Sequence, residues 1–308
     1  MRFIRESWHL VFVGVCLSIA QVTANADEFR VLAWNVESNR PGQPPVSDST
    51  VISNELIEML ESPKTRSQIL ALSEVEPRAV LNLAAAAKRG LGQEIDFVTS
   101  ASGGFLDSDT LMLVVDSSRF KILDAFELHR YAGIKGNSVV DNPDYQNIGS
   151  VRARSPLVAR LVDLKSNEKF WITVNHLARG DAELRTQQAI MLRKWAKELD
   201  APVIAAGDFN FDYDFKTKQG NDGFKAMLQG GVWKWLKPDP LVDTNWSDDR
   251  YVTDRRVDRY PDSMLDFVFV ANQAKQWKGE SDVVVRPGDF PDSDRTSDHR
   301  PVIAVFNP

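Results

Sequence analysis

Carboxylates, carboxamides and imidazoles recur at the ends of apolar runs in this chain. Asn35 and Glu37 close the run from Phe29 to Asn35, and Glu74 closes Gln68 to Val75. Asn175 and His176 close the run that starts at Lys169, and Asp208 and Asn210 close Pro202 to Asn210. Asp298 and His299 stand just ahead of Val302 to Phe306. Asp266 is different, because it interrupts the apolar run Met264 to Val270. A carboxylate there is costly unless it is paired or bound to a metal. Several hard oxygen ligands, few imidazoles and no thiol favour Mg²⁺, Mn²⁺ or Ca²⁺ over zinc. Taken singly, each residue also has a structural reading. Asn35 could cap a turn, Glu74 could be a solvated strand terminus, and Asp298 could be a loop acid. Gly207-Asp208-Phe209-Asn210 alone suits a turn better than a site.

The elements that must position these groups follow from hydrophobic period. Phe29 to Asn35 and Gln68 to Val75 read as strands. Between them Ile52, Leu56, Met59 and Leu60 recur at helical spacing, with Asp48 or Ser49 as N-cap. Pro77 opens a helix through Lys88, and Gly90 is its expected stop. Ile95 to Thr99 and Thr110 to Asp116 read as strands, with Phe120 to Phe126 as their antiparallel continuation. Ala132 to Ser150 reads as a surface loop. Ser155 to Val162 and Lys169 to Asn175 form a strand pair, and Glu183 to Leu199 is a helix with one polar member, Gln188, in its apolar stripe. Pro202 to Asn210 is a buried strand. Its alternation sends Asp208 and Asn210 one way and the Phe209 ring the other. Phe211 to Asp262 is the least regular part. Met264 to Val270, Asp282 to Arg286 and Val302 to Phe306 complete the strands. This order predicts a mixed α/β sheet system in one domain.

The 308 residues carry a formal net charge of −6 with a pI near 5.4. An acidic surface disfavours non-specific binding to nucleic acid or anionic membrane. It leaves a nuclease open, because a metal-binding cleft is itself acidic and its ions reverse the local field. Residues 1–26 read as a signal peptide. Arg2 and Arg5 precede an apolar stretch, Leu10 to Ala20, and Ala24-Asn25-Ala26 suits cleavage. The expected product is exported, periplasmic or secreted, with a catalytic domain from 27 to 308 and no stable membrane insertion. The one cysteine, Cys16, lies in that leader, which removes disulfides and thiolate chemistry from the remainder. Beyond the leader stand His129, His176 and His299. His129, among Glu127, Leu128 and Arg130, reads as structural or exposed.

Six short stretches, in order, resemble the endonuclease/exonuclease/phosphatase superfamily, the group of DNase I and the exonuclease III-type nucleases. They are Trp34-Asn35-Val36-Glu37, Leu72-Ser73-Glu74-Val75, Asn175-His176-Leu177, Gly207-Asp208-Phe209-Asn210, Leu265 to Val270, and Ser297-Asp298-His299-Arg300-Pro301. The resemblance implies a four-layer α/β sandwich (αββα), two mixed β-sheets flanked by helices. It implies metal-dependent hydrolysis of a phosphoester. In that scheme Glu74 is the main metal ligand, and Asn35, Glu37 and Asp298 help hold the ion, Mg²⁺ with Mn²⁺ or Ca²⁺ as alternatives. His299, oriented by Asp266, contacts the phosphate or acts as acid and base. Asp208 and Asn210 align water, and His176 flanks the phosphate. Arg154 is a candidate phosphate contact, with a solvated strand-start arginine as the equal alternative.

Fold does not fix substrate. A nucleic acid, cleaved by a monomeric nuclease, is the expected partner. A phosphatase or a sphingomyelinase-type phospholipase is the alternative, and a non-catalytic binding protein a more distant one. Trp233, Trp235, Trp246 and Tyr251 could stack on bases and Arg250, Arg255, Arg256 and Arg259 could meet phosphates. The better reading of this region makes the tryptophans a satellite core and pairs the arginines with neighbouring acids.

Overall fold

The computed structural model describes residues 28–36, 48–100, 110–128, 155–245, 262–287, 289 and 295–308, with the backbone of 132–135 and 138–141. The leader, Glu37, Arg154, His129, Trp246, Tyr251 and the four arginines between 250 and 259 lie outside them.

In chain order the elements are β1 (Phe29–Asn35), α1 (Ser49–Glu61), β2 (Ile69–Val75), α2 (Val80–Leu91), β3 (Ile95–Thr99), β4 (Thr110–Asp116) and β5 (Phe120–Glu127). A hairpin, β6 (Ala132–Lys135) and β7 (Ser138–Asp141), precedes β8 (Leu157–Asp163) and β9 (Lys169–His176). Then come α3 (Ala182–Glu198), β10 (Val203–Asp214), α4 (Asp222–Leu228), β11 (Trp233–Trp235), β12 (Ser263–Ala271), β13 (Lys278–Val283) and β14 (Val302–Asn307). One six-stranded sheet has the order β13-β14-β1-β2-β4-β3, the other β11-β12-β10-β9-β8-β5.

Alternation explains why two sheets face one another. In β1, Phe29, Val31 and Ala33 join the core shared by both sheets, while Leu32 and Trp34 join the cluster under α1 and α2. Both faces of β1 are therefore apolar, as a central strand covered on two sides requires. The second sheet is covered by α3, which contributes Met191, Leu192 and Trp195, and by α4, which contributes Phe224 and Met227. The result is the expected four-layer α/β sandwich of two mixed sheets.

Four local expectations change. Phe120 to Phe126 does not continue β3 and β4; as β5 it pairs with β8 in the opposite sheet. Part of the expected loop after Ala132 is the β6–β7 hairpin. Gly90 does not stop α2. The cap is Gly92, at φ 62, while Gly90 sits where α2 meets α1, and an added Cβ would lie 2.8 Å from Leu60 Cβ. The last edge strand begins at Lys278 rather than Asp282, because an edge strand with one exposed face needs no apolar run.

Candidate active site

The site forms where strand ends from both sheets meet. β1 and β2 run parallel, as do β9 and β10, so Asn35, Glu74, His176 and Asp208 all lie toward carboxyl ends. The antiparallel neighbours present their starts at the same end. Asp266, early in β12, stands opposite Asp208, and the loop carrying Asp298 and His299 leads into β14 beside β1.

Backbone irregularities aim three of these side chains. By alternation Glu74 would share the outward face of Leu70 and Leu72. Its φ of 54 and the register shift between Leu72 and Val75 instead return Val75 to that outer cluster. Glu74 then faces inward toward Asn35, a bulge re-aiming a side chain. Gly207, at φ 128, lets β10 approach β9 so closely that a Cβ would fall 2.3 Å from the Asn175 carbonyl oxygen. Asn210 also holds positive φ, at 52, and its backbone N–H donates to Asp208 Oδ1 (2.8 Å). Phe209 points to the far side, against Phe211, Phe267 and Phe269 at centroid distances of 5.2, 6.1 and 5.0 Å.

The polar groups meet across the gap between sheets. Asn35 Nδ2 donates to Glu74 Oε1 (3.0 Å) and to Asp208 Oδ2 (3.1 Å), and lies 3.4 Å from His299 Nε2. His176 Nε2 is 3.1 Å from Glu74 Oε1 and 3.6 Å from Asp208 Oδ2. His299 Nδ1 is 2.7 Å from Asp266 Oδ2, and its Nε2 is 3.7 Å from Asp298 Oδ1. Asn210 is at the rim, its Nδ2 donating to the Leu177 carbonyl (3.0 Å). The structure thus brings together Asn35, Glu74, His176, Asp208, Asn210, Asp266, Asp298 and His299. It turns Asn175 away, its Nδ2 bonded to Thr173 and to the Ala206 carbonyl.

Burial sets the electrostatics. Desolvation of the fully buried Asp266 raises its pKa to about 6, against the pull of the His299 ring. Burial opposes charge on His299, but Asp266, then Asp298 and Asp208, outweigh it and hold the ring well above the ordinary histidine value. With Nδ1–H given to Asp266, Nε2 is the nitrogen that faces the cleft.

Ligand atoms of Glu74, His176 and Asp208 lie within 4.8 Å of one another, and so do those of Asp208, Asp266 and His299. Four carboxylates thus converge with two imidazoles and no thiol, and Asp266 Oδ1 is buried without a hydrogen-bond partner among the described residues. This oxygen-rich, anionic donor set fits a hard divalent cation.

Supporting residues that sequence reasoning missed come from the irregular region. Asn245 Nδ2 lies 2.9 Å from His299 Nε2, and the two residues form a β-bridge. Thr244 Oγ1 accepts from the backbone N–H of Leu265 (2.9 Å), and its carbonyl accepts from Arg300 N (3.0 Å). Their one sequence signal was a short polar stretch, Asp243-Thr244-Asn245, next to a tryptophan. Ser297 clips the histidine loop to β1, donating to the Asn35 carbonyl (2.6 Å) and accepting from His299 N (2.9 Å). Trp34 Nε1 donates to the His299 carbonyl (3.0 Å). Trp233 is a buried core residue, and the partly buried Trp235 packs against that core, on Tyr213 at 4.7 Å.

Comparison with curated proteins gives no match. Among solved structures, an endonuclease/exonuclease/phosphatase from Bacteroides vulgatus superposes with a TM-score of 0.64 at 18% identity, over 91% of this chain and 98% of its own. TDP2 from D. rerio, complexed with a single-strand DNA product, gives 0.61 at 16%, over 91% and 99%. A mannosyl-6-phosphatase from Bacteroides thetaiotaomicron gives 0.60 at 16%, over 91% and 100%. At such identities the likeness concerns the fold. The model of the Endonuclease/Exonuclease/phosphatase family matches residues 32–299, nearly the whole span from β1 to β14. The chain belongs to that family and is a metal-dependent phosphoric ester hydrolase.

Proposed function

We propose that this protein is an exported phosphodiesterase that hydrolyses nucleic acid by metal-assisted attack of water. The observation that carries the reading is the convergence of Glu74, His176, Asp208, Asp266 and His299, whose polar atoms gather within 4.8 Å in two trios that share Asp208. Glu74, with Asn35, Asp298 and, outside the described residues, Glu37, would hold the cation, Mg²⁺ by preference. When bound, such an ion offsets charge on the phosphate and acidifies water.

The protein's own groups supply the remainder. His299, held in one tautomer by Asp266, binds the phosphate or exchanges a proton at Nε2. Asp208 and Asn210 orient the attacking water, and His176 stands on the opposite flank. The domain from 27 to 308 would act after removal of the leader, a reading supported by Arg2, Arg5, the apolar stretch and Ala24-Asn25-Ala26. The single-strand DNA product bound by the D. rerio relative supports nucleic acid as substrate. A second reading, hydrolysis of phosphomonoesters, is supported by the mannosyl-6-phosphatase among the structural relatives.

The test is a panel of plasmid DNA, RNA, bis(p-nitrophenyl) phosphate, p-nitrophenyl phosphate and sphingomyelin with Mg²⁺, Mn²⁺ or Ca²⁺. Cleavage of DNA or RNA is expected, with a loss of at least about 100-fold in Glu74→Ala and His299→Ala. Undiminished activity in either variant would overturn the site. Turnover of the monoester alone would select the second reading.

A further inference from the structure

A cation is fixed at the rim of this anionic cleft. Arg179, three residues beyond His176, donates from Nη1 to Asn210 Oδ1 (3.3 Å) and to Asp212 Oδ1 (2.6 Å). Both partners hold positive φ, 52 at Asn210 and 45 at Asp212. Asn221 Nδ2 braces the pair from behind, donating to the Asn210 carbonyl (2.9 Å) and to Asp212 Oδ2 (3.0 Å).

The backbone under Arg179 is clamped as well. Gln188, the polar member of the α3 stripe, accepts from Ala178 N (2.9 Å). Arg185 Nη1 donates to the carbonyls of Ala178 and Arg179, both at 2.8 Å. Arg185 and Gln188 are both buried, while the Arg179 side chain is 48% exposed. Exposed ion pairs stabilise little, so the Arg179–Asp212 contact alone does not account for two buried polar side chains spent on this loop. Pre-ordering a half-exposed guanidinium does account for them, because an arginine held in place loses less rotamer freedom on binding an anion. A guanidinium has five N–H donors, and Nη1 alone makes both contacts described.

We propose that Arg179 is a substrate-binding residue that takes a non-bridging oxygen of the phosphoester on the Asn210 side of the cleft, with Asp212 as its positioning residue. The proposal rests on the phosphoesterase reading of the same site. It assigns this cleft a cationic contact of its own, next to carboxylates that would otherwise repel an anionic ester. A monoester carries more charge on the reacting group than a diester, so its hydrolysis depends more steeply on Arg179.

The experiment compares wild type, Arg179→Ala, Arg179→Lys and, as an exposed control, Lys225→Ala. Inorganic phosphate affinity is measured by calorimetry with Mg²⁺ present, and kcat/KM on mono- and diester p-nitrophenyl substrates. Arg179→Ala is expected to weaken phosphate binding and lower kcat/KM by about 10- to 100-fold. Arg179→Lys should restore part of both, and Lys225→Ala neither gain nor lose. Thermal midpoints identify any variant that fails to fold, in which case Arg179→Lys against wild type decides by the same two readouts. Phosphate affinity within twofold of wild type in folded Arg179→Ala would overturn the proposal. If Glu74→Ala and His299→Ala are dead while Arg179→Ala is unaffected, this inference alone fails; if those two stay active, the underlying reading fails.

Discussion

Glu74 and Asn210 hold backbone angles that non-glycine residues rarely adopt. Strain of this kind costs about 1–3 kcal/mol per residue and persists only where surroundings impose it. Here it faces one carboxylate into the cleft and sets one carboxamide at the rim, so their angles belong to the site rather than to the sheets. Gly207 complements them by having no side chain. Gly207→Ala should destabilise by about 3 kcal/mol or more, since its φ of 128 is strained for alanine and the Cβ would meet the Asn175 backbone at 2.3 Å. Urea unfolding checks this, and a loss under about 1 kcal/mol would contradict it. At this scale the residue types were legible in sequence, because carboxylates at strand ends stand out against apolar runs. The bulge that turns Glu74 inward was not, since φ at one position leaves no pattern. Asn245 was hidden for another reason: nothing local marks a residue whose importance comes from a partner 54 positions away.

At the level of elements, α1 anchors the loop that carries His299. Asp48 caps α1 by accepting from Thr50 N (2.8 Å) and also pairs with Arg295 (2.5 Å). Glu55, two helical turns further along, accepts from Thr296 Oγ1 (2.7 Å). The packing of α1 on α2 therefore bears on the site through these contacts. Gly90 tests that packing. Glycine to alanine within a helix gains up to about 1 kcal/mol in propensity, but overpacking costs about 1–3 kcal/mol. With Leu60 Cβ at 2.8 Å and Ile57 backbone at 3.1 Å, the steric term should win. Gly90→Ala is expected to lower stability by about 1 kcal/mol, and a rise in the urea midpoint would refute the argument. Strand and helix positions were largely readable, because central strands here are apolar on both faces and the helices show their stripes. The partner of β5 was not readable. Period-2 alternation says that a strand exists and which face is apolar, but not which sheet it joins.

For the molecule as a whole, the two sheets are independent ladders held face to face by a shared core. The cluster crosses that gap at three places: Asn35 to Asp208, Glu74 to His176, and His299 to Asp266. A cation bound among these carboxylates would bind the native state and not the unfolded chain. At a hundredfold excess over its dissociation constant such an ion stabilises by about 2.7 kcal/mol. For a chain of this size that is a rise of roughly 5–10 °C in thermal midpoint. Mg²⁺ added to chelator-treated protein should give that shift, and Glu74→Ala should abolish it. An unchanged midpoint in wild type would count against a structural share for the metal.

The pairing of β1 with β14 places Phe29 opposite Phe306. That ladder joins the most distant parts of the described chain, a contact order that slows folding because loop closure precedes the reward. Its consequence is temporal. Asp298 and His299 lie immediately ahead of β14, so a polypeptide still being synthesised lacks both the strand that completes its first sheet and the histidine that completes its cluster. Such a nascent chain holds no assembled hydrolytic centre until Asp298, His299 and β14 have emerged.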